Sequence, residues 1–257
     1  MLKFTFLGTC SGTEPMKGRH HCSFVIEAGE LFYWFDAGEN CSHAATELDI
    51  DMTKVSAVFI SHMHIDHIGG LANLIFSMNK ITRMHKIPHV KDNSCDLYLP
   101  DLDRFAAVKI ISEYDPNAKG AVVMREHQVC DGVIFEDENL RVSALHNTHL
   151  KEDGSQGWHS HSYLIEGEGK RIVFSGDVTS PEELNPLVLG GCDMLIMETG
   201  HHMLSEVFEY AASVGVKKLV LTHHGREILY NEAAANEFAK TQDIDSLICR
   251  DGDMIEI

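Results

Sequence analysis

Along the N-terminal part of the chain, apolar positions fall two apart or in short unbroken runs. Leu2 to Leu7 alternate, and after a loop holding Gly8, Gly12 and Gly18 come the aromatic and β-branched runs Ser23 to Glu27 and Leu31 to Phe35. This is strand patterning. The period then changes. After the apolar strand Ala57 to Ile60, residues Leu71, Leu74, Ile75 and Met78 recur at helical spacing, and Asp101 caps a second predicted helix through Ile111. A new strand-rich series follows at Leu140 to Leu145, His161 to Glu166 and Arg171 to Ser175. Next, Pro181 and Glu182 open a predicted helix, Met194 to Met197 reads as a buried strand, Leu204 to Ser213 as a helix and Leu219 to Thr222 as a strand. Each half therefore runs from strand hairpins into βα units. Two such halves, packed sheet against sheet with helices outside, give an α/β four-layer αββα sandwich. No Pro-, Gly- or Ser-rich linker interrupts residues 1–257, so the expectation is a single domain.

Composition narrows the setting. With 257 residues, 44% of them hydrophobic, the chain can bury a substantial core. The 39 acidic residues against 21 basic ones leave a net charge of -18, which argues against broad electrostatic attraction to nucleic acid or anionic membranes. The apolar stretch before Gly8 is too short for a secretory signal, and no run approaches the ~20 apolar residues of a membrane span. A cytoplasmic protein is expected. Cys10, Cys22, Cys41, Cys95, Cys130, Cys192 and Cys249 are odd in number and scattered, unlike a disulfide framework or a zinc ribbon. The 17 histidines exceed what structural roles account for, so their clustering matters.

Six residues after the strand Ala57 to Ile60 and before Gly69-Gly70 concentrate four candidate ligands: His62, His64, Asp66 and His67. On a helix His62 and His64 would point apart, whereas in extended backbone they face the same way. A strand-end loop lets them chelate together. Asp66 and His67 add a hard oxygen and an imidazole nitrogen, a mixture suited to Zn²⁺, Mn²⁺ or Fe²⁺. The bland alternative, a histidine-rich surface loop, does not explain four ligands at one strand terminus. Three further segments place a candidate beyond an apolar strand: Gly176-Asp177 after Arg171 to Ser175, His223-His224 after Leu219 to Thr222, and His146 with His149 after Leu140 to Leu145. An aspartate in such a place is usually a cap or turn residue, so Asp177 gains weight only from its company.

Taken in order, His62, His64, Asp66 and His67, a later histidine, Ser175-Gly176-Asp177 and Thr222-His223 resemble the metallo-β-lactamase superfamily. Leu7-Gly8-Thr9 and Phe35-Asp36-Ala37-Gly38-Glu39 are similar to its branch near ribonuclease Z, the tRNA 3′-processing endonuclease, and the small phosphodiesterases. The resemblance spans roughly residues 1 to 226. It implies two divalent metal ions, Zn²⁺ first and Mn²⁺ or Fe²⁺ as alternatives. His62, His64 and His149 would bind one ion, Asp66, His67 and His223 the other, and Asp177 would bridge them. His146 stays open as an alternative to His149, because it continues the inward parity of Val142 and Ala144; the family spacing favours His149. Asp36 reads as a carboxylate that orients a ligating histidine, and His224 as a pocket residue rather than a ligand.

The chemistry so implied is hydrolysis by a metal-bridged hydroxide, with Asp66 and Asp177 as catalytic residues holding it. His201 and His202 are the candidates for protonating the leaving group, with His159 and His161 behind them. The tRNA-processing branch has a histidine immediately before the corresponding glutamate; here that position is Met197. The branch also carries a Gly- and Pro-rich arm that grips tRNA, and no such segment lies between His67 and His149. The expected substrate is a small-molecule phosphodiester, with nucleic acid and membrane not expected as partners and a homodimer left open. Lactone or thioester hydrolysis, tRNA 3′ processing, and a non-catalytic metal- or ligand-binding role are the alternatives; the complete ligand set speaks against the last.

Overall fold

The computed structural model describes residues 1–150 and 158–257. The chain divides into two compact units, the first made of Met1–Gly8, His20–Val129 and Asp251–Ile257, the second of Thr9–Arg19 and Cys130–Arg250.

The first unit is built on a seven-stranded mixed sheet. Strands β1 (Lys3–Gly8), β2 (Ser23–Ala28) and β3 (Leu31–Phe35) form an antiparallel meander, extended on the β1 side by the C-terminal strand Met254–Glu256, which is β14 by its place in the chain. β4 (Val55–Phe59), β5 (Ser94–Leu99) and β6 (Val123–Gln128) continue the sheet in parallel from β3. The connections carry helices α1 (Cys41–Glu47), α2 (Ile65–Ile68) and α3 (Leu71–His85), a single turn α4 (Val90–Asn93) with Lys91 and Asp92 in the left-handed region, and helix α5 (Leu102–Ile111). Asp101 caps α5 as expected, its carboxylate accepting from the Arg104 backbone N–H at 3.0 Å. Helix α3 buries Leu71, Leu74, Ile75 and Met78, one helical stripe, against Val25, Trp34, Val58 and Leu97 of the sheet.

The opposite face of this sheet carries one continuous row of rings. Phe6, Phe24, Phe35, Phe59, Tyr98 and His127 are register partners on successive strands from β1 to β6. Neighbouring centroids lie 4.6 to 5.6 Å apart. Each such pair contributes about 0.5–1.5 kcal/mol beyond its buried area.

The second unit repeats the plan. β7 (Gly132–Glu136), β8 (Arg141–His146), β9 (His161–Gly167) and β10 (Lys170–Phe174) are antiparallel, and β11 (Met194–Thr199), β12 (Lys218–His224) and β13 (Asp245–Ile248) follow in parallel from β10. Helices α6 (Asn185–Val188), α7 (Leu204–Ser213), α8 (Arg226–Tyr230) and α9 (Glu232–Lys240) accompany them. Leu204, Val207, Phe208 and Ala211 of α7 pack on Val173, Leu195, Met197 and Leu219. Pro181 and Glu182 open a 3₁₀ turn, Pro181–Leu184, that leads directly into α6. Pro186 follows within α6, so the segment is held to short turns by rings that cannot donate hydrogen bonds.

Candidate metal centre

In the first unit, β4 ends at Phe59 and the chain turns through Ile60 and Ser61 into the histidine motif. His62 and His67 are fully buried and Asp66 nearly so. The anchor is Asp36, just beyond β3 and itself fully buried. Its Oδ1 accepts from the Ser61 backbone N–H at 2.7 Å, and its Oδ2 from the Ser61 hydroxyl at 2.8 Å and from His67 Nδ1 at 2.7 Å. An imidazole nitrogen facing a carboxylate donates, so His67 Nε2 carries the lone pair. That nitrogen lies 3.5 Å from Asp66 Oδ2. His62 Nδ1 is 3.1 Å from the Ser61 hydroxyl, which leaves His62 Nε2 facing His64 Nδ1 at 2.9 Å. Gly38 permits this packing: a Cβ there would come 2.7 Å from the Asp66 carbonyl oxygen and 2.6 Å from that of His21.

In the second unit, the turn after β10 presents Asp177, which is 1% exposed. His223 Nε2, His149 Nε2 and His201 Nδ1 lie 3.4, 3.7 and 3.8 Å from its Oδ2. His223 sits near the end of β12 in a left-handed backbone conformation, φ 49°, costly for a residue with a Cβ. Gly200 makes room for it, because a Cβ there would stand 2.7 Å from the His223 ring. Donor atoms of Asp177, Glu198, His201 and His223 all fall within 4.8 Å of one another.

Glu198, which sequence reasoning passed over, plays for this unit the part that Asp36 plays for the first. Its buried carboxylate accepts from the backbone N–H groups of Val178, Gly200 and His201 and from the His201 ring at 3.0 Å, and it stands 3.6 Å from His223 Nδ1. Burial raises its pKa, but the hydrogen bond from the His201 ring and the nearby His223 ring outweigh that and hold the carboxyl below its usual range. The same hydrogen bond raises the His201 pKa. The available signal was a glutamate directly after the wholly apolar run Met194 to Met197, on a strand that reads as buried, since a buried charge needs partners.

The remaining residues separate cleanly. His146 is turned onto Asp131, with its Nδ1 2.6 Å from that carboxylate, and stacks on Trp158 at 4.0 Å, while His149 is the histidine that faces Asp177. His202 directs Nε2 to the Val178 carbonyl at 3.0 Å, whereas His201 faces Asp177. His224 is fully buried between the Thr199 hydroxyl and the Cys249 carbonyl, and burial pushes its pKa down to about 3. Both of its ring nitrogens are engaged within the fold. His161 is also buried, its pKa pushed down to about 4 by desolvation.

The donor geometry suits a small divalent cation. Tetrahedral bonds of about 2.0–2.1 Å put neighbouring donors roughly 3.4 Å apart. The Asp66–His67 and Asp177–His223 pairs, at 3.5 and 3.4 Å, match that edge within each unit. Imidazoles whose second nitrogen is fixed by a buried carboxylate are the usual form of a metal-ligating histidine.

Comparison with known proteins agrees. The chain is 27% identical to the ribonuclease Z of Methanothermobacter thermautotrophicus over 96% of each chain. The metallo-β-lactamase fold protein YhfI from Bacillus subtilis superposes with a TM-score of 0.74 at 17% identity, covering 99% of this chain and 98% of that one. The short form of human tRNase Z superposes equally well, with a TM-score of 0.74 at 18% identity and 99% coverage of both. The fold is therefore the metallo-β-lactamase fold, and the chain is a metal-dependent hydrolase of that superfamily. Residues 2–244 match the family described as anti-Pycsar protein Apyc1, and the chain belongs to that family.

Proposed function

We propose that this hydrolase cleaves a small phosphodiester with the help of two divalent metal ions. By the family pattern His62, His64 and His149 serve one ion, Asp66, His67 and His223 the other, and Asp177 both. The observation that carries the reading is the pair of strand-end donor sets, each backed by a buried carboxylate, Asp36 behind His67 and Glu198 behind His223. When bound, the ions supply a nucleophile near neutral pH and neutralise charge developing on phosphorus-bound oxygens. The protein's own groups do the rest. Asp36 fixes the His67 imidazole by a hydrogen bond and Glu198 places a negative charge behind the His223 ring, so that the far nitrogen of each would be the one to take an ion. His201, its Nδ1 tied to Glu198, protonates the departing oxygen through Nε2. His202 is not assigned that role, because its Nε2 is engaged by the Val178 carbonyl.

A second reading, tRNA 3′ processing, is favoured by the name of the ribonuclease Z relative. The small substrate is preferred on the net charge of -18 and the lack of a Gly- and Pro-rich segment between His67 and His149, since RNA affinity rests largely on phosphate neutralisation. Measuring kcat/KM for bis(p-nitrophenyl) phosphate, a lactone, a thioester and a tRNA precursor under one metal condition decides among them. Preference for the phosphodiester is expected. Preferential tRNA cleavage would overturn the small-substrate reading and leave the hydrolase assignment in place.

A further inference from the structure

The C-terminal end of α3 contradicts the charge of the rest of the chain. No Asp or Glu lies between Asp66 and Asp92, although acidic residues outnumber basic ones almost two to one overall. Beyond this helix end opens a cavity of about 560 Å³ lined by Thr82, Arg83, Lys86, Ile87, Pro88, Asn93, Lys119 and Gly120. Its charged lining is wholly cationic. Arg83, Lys86 and Lys119 have no carboxylate within ion-pair distance among the described residues, while most other arginines of the chain do. Glu113 and Asp115 line a separate cavity of about 150 Å³ that Arg83 also borders, and neither pairs with it. The Thr82 hydroxyl is buried, with the residue 5% exposed, and has no hydrogen-bond partner among the described residues.

We propose that this cavity binds a small phosphorylated molecule, with its phosphate held by Arg83, Lys86 and Lys119 and its apolar part resting on Ile87 and Pro88. A helix C-terminus attracts cations through its dipole, which accounts for Arg83 and Lys86. It does not account for Lys119, which arrives from the segment after α5, nor for a donor hydroxyl buried without a partner. Three unpaired cations in one concavity repel each other, and a bound anion relieves that repulsion. The dipole itself opposes an anion here, so binding depends on all three side chains together. The long-range field of an acidic protein is screened within about 8–10 Å at physiological salt, inside which these cations dominate. The site stands apart from the histidine motif: α3 has 15 residues, which makes it roughly 22 Å long, and His67 lies at its other end. The inference therefore holds whatever the metal centre hydrolyses.

The test is titration of the metal-loaded, isotope-labelled protein with phenylphosphonate, inorganic phosphate and chloride at matched ionic strength, followed through backbone amide resonances. Saturable shifts at Thr82, Lys86 and Gly120 are expected, with phenylphosphonate binding more tightly than phosphate and chloride inert. Arg83→Glu with Lys119→Glu should weaken phenylphosphonate at least tenfold while kcat on bis(p-nitrophenyl) phosphate is unchanged, and Thr82→Val should weaken it severalfold. Shifts confined to residues of the histidine motif, equal shifts with chloride, or affinity unaffected by the charge reversal would each overturn the proposal. So would a short RNA oligonucleotide shifting these amides at lower concentration than phenylphosphonate, because the site would then belong to a polymer.

Discussion

Asp36 Oδ2 lies 2.7 Å from His67 Nδ1, and both side chains are fully buried. A carboxylate so placed sets the tautomer and the aim of the ring, and raises its basicity toward a cation. Asp36→Asn keeps the shape and removes the charge. Metal affinity is expected to fall about 10–100-fold, read by competition with a fluorescent chelator. Equal competition by variant and wild type would remove Asp36 from the site.

Asp177 receives three imidazoles within 3.8 Å and should couple metal content to turnover. Asp177→Ala is expected to lower the metal found per chain and abolish hydrolysis together. Elemental analysis alongside steady-state rates checks this; full metal content with full activity is the contrary result.

The histidine that ends β8 and the one three residues beyond it should behave differently. His149→Ala removes a ring that faces Asp177, and metal binding should drop strongly. His146→Ala breaks an exposed contact with Asp131, which lies away from that cluster, and should change metal affinity little. The order of the two dissociation constants is the readout.

His201 and His202 are separated by the leaving group. If His201 protonates the departing oxygen, His201→Gln should slow alkyl phosphodiesters by about 10²–10⁴-fold and p-nitrophenyl esters far less. His202→Gln should not show that dependence, since its ring is committed to the Val178 carbonyl.

Burial of His161 makes stability depend on acid. Its folded pKa, about 4, lies below the ordinary value of 6.5, so the native state holds it neutral while the unfolded chain takes up a proton. The contribution is full above pH 6.5 and is lost as pH falls toward 4, amounting to at most about 3 kcal/mol. Urea midpoints measured against pH should show a shallower acid decline in His161→Gln than in wild type.

Much of this was legible in the chain because the donors follow apolar strands. The run Ala57 to Ile60 announces where His62 must emerge, and the same logic exposes Asp177 and His223. The choice between His146 and His149 was not legible from parity. Strand β8 ends at His146, and beyond it the backbone N–H of Asn147 bonds the Ser160 carbonyl, so alternation no longer decides where a side chain points. Strand β6, with Arg125, Glu126 and His127, was hidden by its polarity: it is the edge of its sheet, where charged side chains discourage pairing with other chains. Strand β5 has the opposite problem, with Ser94 and Asp96 among its buried residues. Helix α1 is seven residues long and has no side-chain cap, which leaves little pattern to read.

The row of rings from Phe6 to His127 has a consequence for folding fidelity. Shifting any one strand by a single residue would turn its ring to the other face and open a gap in the stack. Because Asp36 directly follows Phe35, and Ser61 comes two residues after Phe59, the same slip would pull the carboxylate away from the serine and the imidazole it serves. The sheet thus proofreads the site: a chain that has closed its aromatic row has brought Asp36, Ser61 and His67 into reach of one another before any metal arrives.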